Sequence, residues 1–158
     1  MKIIAGTGHR PNKLGGYEFS APKRIWIRDR LRERLLVHKP DMVISGMALG
    51  FDQDLAYVAI EMAIPFVAAV PFVGQERVWP KESKDFYNQL LSKAASIAIV
   101  SPGEYSVDKM QVRNEWMVDH CSILIACWDG SAGGTGNCVK YAMEVGREID
   151  RINPNDFK

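Results

Sequence analysis

The sequence has no C-x-x-C pair, no marked excess of either charge, no repeat and no low-complexity tract. It also has no apolar run near the ~20 residues that a membrane helix requires. Each absence removes a class of protein. The three cysteines, Cys121, Cys127 and Cys138, are odd in number, lack the spacing of a zinc site and fall in apolar segments. They are expected to be buried, reduced thiols. The longest apolar stretch, residues 63–73, is broken by Pro65 and Pro71, so no membrane partner is expected. The opening Met1-Lys2-Ile3-Ile4-Ala5-Gly6 is too short for a signal peptide, and the expected location is cytoplasmic. A formal net charge of +1 provides no global field toward nucleic acid. No carboxylate cluster has metal-ligand spacing, so neither a metal nor a cofactor is expected.

The chain has 158 residues, 47% of them hydrophobic and 25% charged, the balance of an ordinary globular protein large enough for a real core. Residues 1–152 are expected to form one domain, with 153–158 a frayed tail. Residues 2–5 read as a buried strand that stops at a glycine turn, Gly6-Thr7-Gly8-His9-Arg10-Pro11. The polar, glycine-containing segment 12–20 reads as a mobile loop across that strand end. A helix from Pro22 to about His38 follows, with Ile27, Leu31 and Leu35 on one face and Arg24, Arg28, Arg30, Arg32, Glu33 and Arg34 over much of the rest. Those charges are interleaved with Asp29, which suits a solvated face better than a nucleic-acid surface.

Met42 to Ser45 reads as a second strand. It ends in a second glycine turn, Gly46-Met47-Ala48-Leu49-Gly50-Phe51-Asp52, with Asp52 placed to cap a helix from Gln53 to Ala63 or to meet a ligand. Further strands are expected over residues 64–70, 96–100 and 122–127, and helices around Phe86 to Ala94, over 107–121 and over 135–149, the last with Val139, Ala142, Val145 and Ile149 inward. On the loop after the third strand, Trp79 and Arg77 can stack on a base or close a core edge. Alternating strands and helices, with continuously apolar strands, give an α/β fold with a mainly parallel sheet of about five strands covered on both faces. Ligands of such sheets bind at the carboxyl ends of the strands, where the strand order reverses.

The third glycine turn, Asp129-Gly130-Ser131-Ala132-Gly133-Gly134-Thr135, opens the final helix. Gly130, Gly133, Gly134 and Thr135 offer backbone N–H groups and a hydroxyl, a set that suits a phosphate because a helix N-terminus carries unsatisfied donors and a positive dipole end. Arg113 lies between Met110 and Met117 on one helix face, where its planar fork can meet a phosphate in two-point contact; Asn114 beside it can bond a base or ribose. Gly6, Thr7, Gly8, His9 and Arg10 line the same crevice. His9 is a candidate for acid–base chemistry, for a ligand hydrogen bond or for loop packing. Asp129 either accepts from a ribose hydroxyl or bonds its own turn.

These three turns, in this order, resemble those of the SLOG superfamily, above all its YpsA-like members, over Lys2 to about Gly146. That superfamily also holds the lonely-guy (LOG) nucleoside monophosphate phosphoribohydrolases and the Rossmann-like domain of DNA-processing protein A (DprA). The resemblance implies a Rossmann-like three-layer domain that binds a phosphate-bearing nucleotide or nucleotide-derived molecule, for sensing or sequestration. Hydrolysis of the N-glycosidic bond of a nucleoside 5′-monophosphate, with Arg113 as a catalytic residue, is the first alternative; single-stranded DNA binding is a less favoured second. Met110-Gln111-Val112-Arg113-Asn114 is similar to the Met-x-x-Arg-Lys of the hydrolases with Asn114 in place of Lys, and Gly133-Gly134-Thr135 is a shifted form of their glycine run. No carboxylate follows Thr135 until Glu144, so Glu115, Asp119 or Glu144 would have to stand in. Pairing of two copies through the outer helices is a further expectation by resemblance.

Overall fold

The computed structural model describes residues 1–158. Six strands form one parallel sheet in the order β4-β3-β2-β1-β5-β6: β1 (Ile3–Gly8), β2 (Met42–Ser45), β3 (Phe66–Val70), β4 (Ser96–Ile99), β5 (Ile123–Cys127) and β6 (Glu148–Ile152). The helices between them are α1 (Pro22–His38), α2 (Phe51–Glu61), α3 (Lys81–Leu91), α4 (Val107–Asp119) and α5 (Gly134–Glu144). The chain builds outward from β1 to β4, then returns to place β5 on the other side of β1. The order therefore reverses at the β1/β5 boundary, where a crevice opens at the strand ends.

Successive strand residues feed two different cores because their side chains alternate between faces. Ile4, Val43, Ala68 and Ile125 join Ile27, Leu31 and Leu35 of α1, Leu55 of α2 and Leu90 of α3. Ala5, Ile44, Ala69 and Leu124 join Met117 and Val118 of α4 and Cys138 and Ala142 of α5. Burial on both faces explains the uninterrupted apolar reading of β1, β2, β3 and β5. All three cysteines are buried and unpaired; burial pushes the Cys138 thiol up to about 12, which makes it a packing group rather than a nucleophile.

Three expectations are corrected. There are six strands rather than about five, because the last helix stops at Glu144 and residues 148–152 pair with β5. Gly146, at φ 73°, ends that helix in a conformation that only glycine adopts cheaply. Ile149 does face the second core, but from β6 rather than from α5. The edge strand Glu148-Ile149-Asp150-Arg151-Ile152 carries charges as edges commonly do, so it shows no apolar run.

The second correction concerns Arg24 and Arg28, which are 4% and 5% exposed rather than solvated. Arg24 donates to both carboxylate oxygens of Asp54 at 3.1 and 2.9 Å, and Arg28 donates to the same group at 3.1 Å. Their other nitrogens donate to the carbonyls of Tyr17 and Phe19 at 3.0 and 2.7 Å. Segment 12–20, read as a mobile loop, is thereby strapped to α1; it continues out of a short 3₁₀ turn, Pro11–Lys13, and contains the fully buried Leu14. The third correction is the tail: Pro154–Asp156 forms a 3₁₀ turn capped by Asn153, and Phe157 meets Trp26 edge-on at 6.0 Å.

Candidate functional site

A cavity of about 290 Å³ opens at the β1/β5 boundary. It is walled by the β1 turn, the start of α5 and the inner face of α4. Of the residues singled out in the sequence, Thr7, Gly8, His9, Arg10, Asp52, Arg113, Asn114, Gly133, Gly134 and Thr135 line it. Asn12, Lys13, Met110, Ser131, Ala132 and Gly136 line it as well. Lys13 had no signal beyond its place after a glycine turn, and its contact with the β5 turn is long-range: Nζ donates to Ser131 Oγ and lies 3.3 Å from Asp129 Oδ2.

Gly6, Gly46, Gly50, Asp129 and Gly130 are not part of the lining; the first three shape it from behind. A Cβ on Gly6 would enter the Leu55 and Phe51 side chains, so Gly6 lets α2 close on β1. At Gly46 a Cβ would stand 2.5 Å from Arg113 Nη1 and 2.9 Å from Asp52 Oδ2. Gly50, at φ 93°, is the residue on which α2 begins; a Cβ there would stand 2.7 Å from the His9 carbonyl oxygen, which accepts from Phe51 N–H at 3.2 Å. Asp52 is thus inside the first turn of α2 rather than its cap, and its Oδ2 accepts instead from Ala48 N–H at 3.2 Å.

Arg113 is 3% exposed, and most of its fork is already committed. Nη1 donates to Gly46 O at 2.6 Å and Ala69 O at 3.3 Å, and Nε to Asn114 Oδ1 at 3.0 Å. The free two-point fork expected from sequence is absent; Nη2 is the nitrogen without a protein acceptor. Asp52 shares this buried corner. Burial raises its carboxyl above the usual range, against the opposing pull of Arg113 and Arg10.

His9, 7% exposed, is held by the opposite turn. Asp129 N–H donates to His9 Nε2 at 3.0 Å, which leaves the proton of the neutral ring on Nδ1. Asp129 Oδ1 is also 3.0 Å from Nε2, a contact that becomes a hydrogen bond when Nε2 carries a proton. Burial lowers the His9 pKa, partly offset by Asp129. The Ser131 hydroxyl and N–H, at 2.5 and 2.9 Å, hold Asp129 well below the usual carboxylate range. Asp129 therefore serves its own turn and His9.

The start of α5 supplies the donors. Gly134, Thr135 and Gly136 have no intrahelical acceptor for their N–H groups; Asn137 is the first that does, to Gly133 O at 2.9 Å. Trp128 Nε1 fixes the turn by donating to Ser131 O at 2.8 Å. Arg151 of β6 braces Trp128 in turn, through its carbonyl at 2.9 Å and by lying over its ring at 5.1 Å. Glu115 and Glu144 line a separate shallow groove, and Asp119 accepts from Tyr141 at 2.8 Å. No three metal-ligating side chains cluster. Trp79 meets Tyr87 edge-on at 5.2 Å and closes a core edge, and no helix is long and apolar enough to cross a membrane.

The chain is 32% identical to the uncharacterized SPbeta prophage-derived protein YoqJ of Bacillus subtilis, over 85% of this chain and 91% of that one. It is 27% identical to a UPF0398 protein of Bacillus cereus, over 96% of this chain and 86% of that one. Among solved structures, DNA processing protein A (DprA) of Streptococcus pneumoniae matches 96% of this chain and 50% of its own, with a TM-score of 0.69 at 18% identity. Residues 4–155 match the model of the YspA SLOG family, and the chain belongs to that family.

Proposed function

We propose that the β1/β5 cavity binds the phosphate of a nucleotide or nucleotide-derived small molecule, in a protein that senses or sequesters it. The observation that carries this reading is the convergence of Arg10, Lys13 and Arg113 on the same space as the three unsatisfied N–H groups at the start of α5. Three cations against one lining carboxylate, Asp52, favour an anion. Backbone donors at a helix N-terminus favour a compact, multiply accepting one. Thr7, Asn12 and Asn114 remain to bond a ribose or base.

A hydrolytic reading of the same cavity has one specific support. The carboxylate in the cavity is Asp52 rather than Glu115, Asp119 or Glu144, and burial shifts its carboxyl upward, the direction a general acid for a leaving base requires. DprA is by name a DNA processing protein, which brings DNA in as a competing ligand.

Thermal-shift screening against nucleoside monophosphates, cyclic nucleotides, dinucleotides, ADP-ribose derivatives and short single-stranded DNA, with product analysis of every hit, tests these readings. A ligand at 100 times its dissociation constant adds about 2.7 kcal/mol of stability. Stabilisation with the nucleotide recovered intact supports binding, release of free base supports hydrolysis, and stabilisation by DNA alone overturns both.

A further inference from the structure

A second cavity, of about 500 Å³, lies on the other side of the α2 start, between segment 17–19 and the first turn of α3. Gln53 and Asp52 are neighbours on α2, yet Asp52 lines the main cavity and Gln53 this one. Gln53 is 3% exposed, and its Nε2 is buried without any hydrogen-bond partner. Buried amide groups in folded proteins are normally satisfied, so an orphaned one on a cavity wall marks a place for a ligand group.

The rest of the wall defines that ligand. Phe86, Phe19 and Tyr17 supply aromatic surface. Arg28 already covers one face of Phe19 at 3.6 Å, and Phe19 meets Phe86 edge-on at 5.4 Å. The Tyr17 ring, 62% exposed, has no aromatic partner. Glu18 and Glu82 add carboxylates, and no lysine or arginine lines the cavity. A phosphate is therefore disfavoured. A flat ring with N–H donors for the carboxylates, and a donor–acceptor edge for the amide, fits. An amide side chain pairs well with such an edge on a purine, aromatic walls stack on it, and the volume is that of an ordinary small-molecule site.

We propose that this second cavity binds an unphosphorylated purine nucleoside or base, with Gln53 reading the ring edge. The assignment stands independently of the phosphate reading of the main cavity, and the two sites have opposite preferences. The test is calorimetric titration of adenosine and guanosine, each compared with its 5′-monophosphate. The proteins are the wild type, Gln53→Leu, Ser83→Trp and the double variant Arg10→Ala/Lys13→Ala. Leu is nearly isosteric with Gln and removes the orphaned amide, and a Trp at half-buried Ser83 fills the cavity from its rim. At least one nucleoside binds the wild type, Gln53→Leu weakens it about tenfold, Ser83→Trp abolishes it, and the double variant leaves it unchanged. Absence of saturable binding at millimolar nucleoside overturns the proposal. So does binding indifferent to both Gln53→Leu and Ser83→Trp, or binding lost in the double variant.

Discussion

Gly46 shows how a single missing side chain organises the site. Its carbonyl accepts from Arg113 and Gln75 at 2.6 and 3.3 Å, and the volume of its absent Cβ is occupied by the Arg113 guanidinium. Gly46→Ala is expected to cost about 1–3 kcal/mol through overpacking and to weaken phosphate binding with it, read by denaturant titration and ligand titration of the same sample. At His9 the expected effect is one of pH. Its folded pKa is lowered from 6.5, so below about pH 6.5 the unfolded chain takes up a proton that the folded one resists. Stability therefore falls as pH drops through that value toward the folded pKa. His9→Asn is expected to flatten this part of the stability–pH curve; an unchanged slope would assign it to another group. The His9 and Arg10 loop was legible because a strand followed by glycines is a ligand pattern. Lys13 was not, because its role depends on Ser131 and Asp129, more than a hundred residues away.

Among the elements, α1 was legible in its apolar face and misread in its charged one. Ile27, Leu31 and Leu35 repeat at four-residue spacing, and that periodicity fixes which face is buried. Nothing local distinguishes Arg24 and Arg28 from the half-buried Arg30, which pairs with Glu33 at 2.6 Å. The difference lies in Asp54 on α2, 0% exposed. Asp54→Ala leaves two buried guanidiniums without their anion and is expected to cost about 3–5 kcal/mol, against less than about 1 kcal/mol for Glu33→Ala at an exposed pair. Paired melting curves would show the contrast. β6 was missed because a charged edge strand lacks the apolar run of a central one, and because Gly146 reads as a tolerated helix glycine unless its φ is known. A Cβ at Gly146 would meet no atom within 4 Å, so Gly146→Ala isolates the backbone term and is expected to cost about 1 kcal/mol. The consequence extends to the site, since Arg151 of β6 braces Trp128 and through it the Ser131 turn.

For the molecule as a whole, strand order places function. Returning from β4 to β5 beside β1 brings the first and third glycine turns to one boundary, while α4 delivers Arg113 and Asn114 to the same space. The three turns and their order were visible in the sequence; which glycines would face the cavity and which would stand behind it was not, because that depends on the packing of α2 and α4. The central claim, a phosphate seat at the start of α5, is tested most directly by titrating a nucleotide that stabilises the protein, and its nucleoside counterpart, into the wild type and Arg10→Ala/Lys13→Ala, each carrying Ser83→Trp to close the second cavity. Both side chains stand on the rim-forming β1 loop, and each charge-assisted contact is expected to contribute about 1.5–3 kcal/mol. The nucleotide is predicted to bind more tightly than the nucleoside in the wild type and to lose that advantage, at least about tenfold, in the double variant. Equal affinity of the two ligands for the wild type, or a nucleotide affinity that survives loss of both cations, would contradict the account.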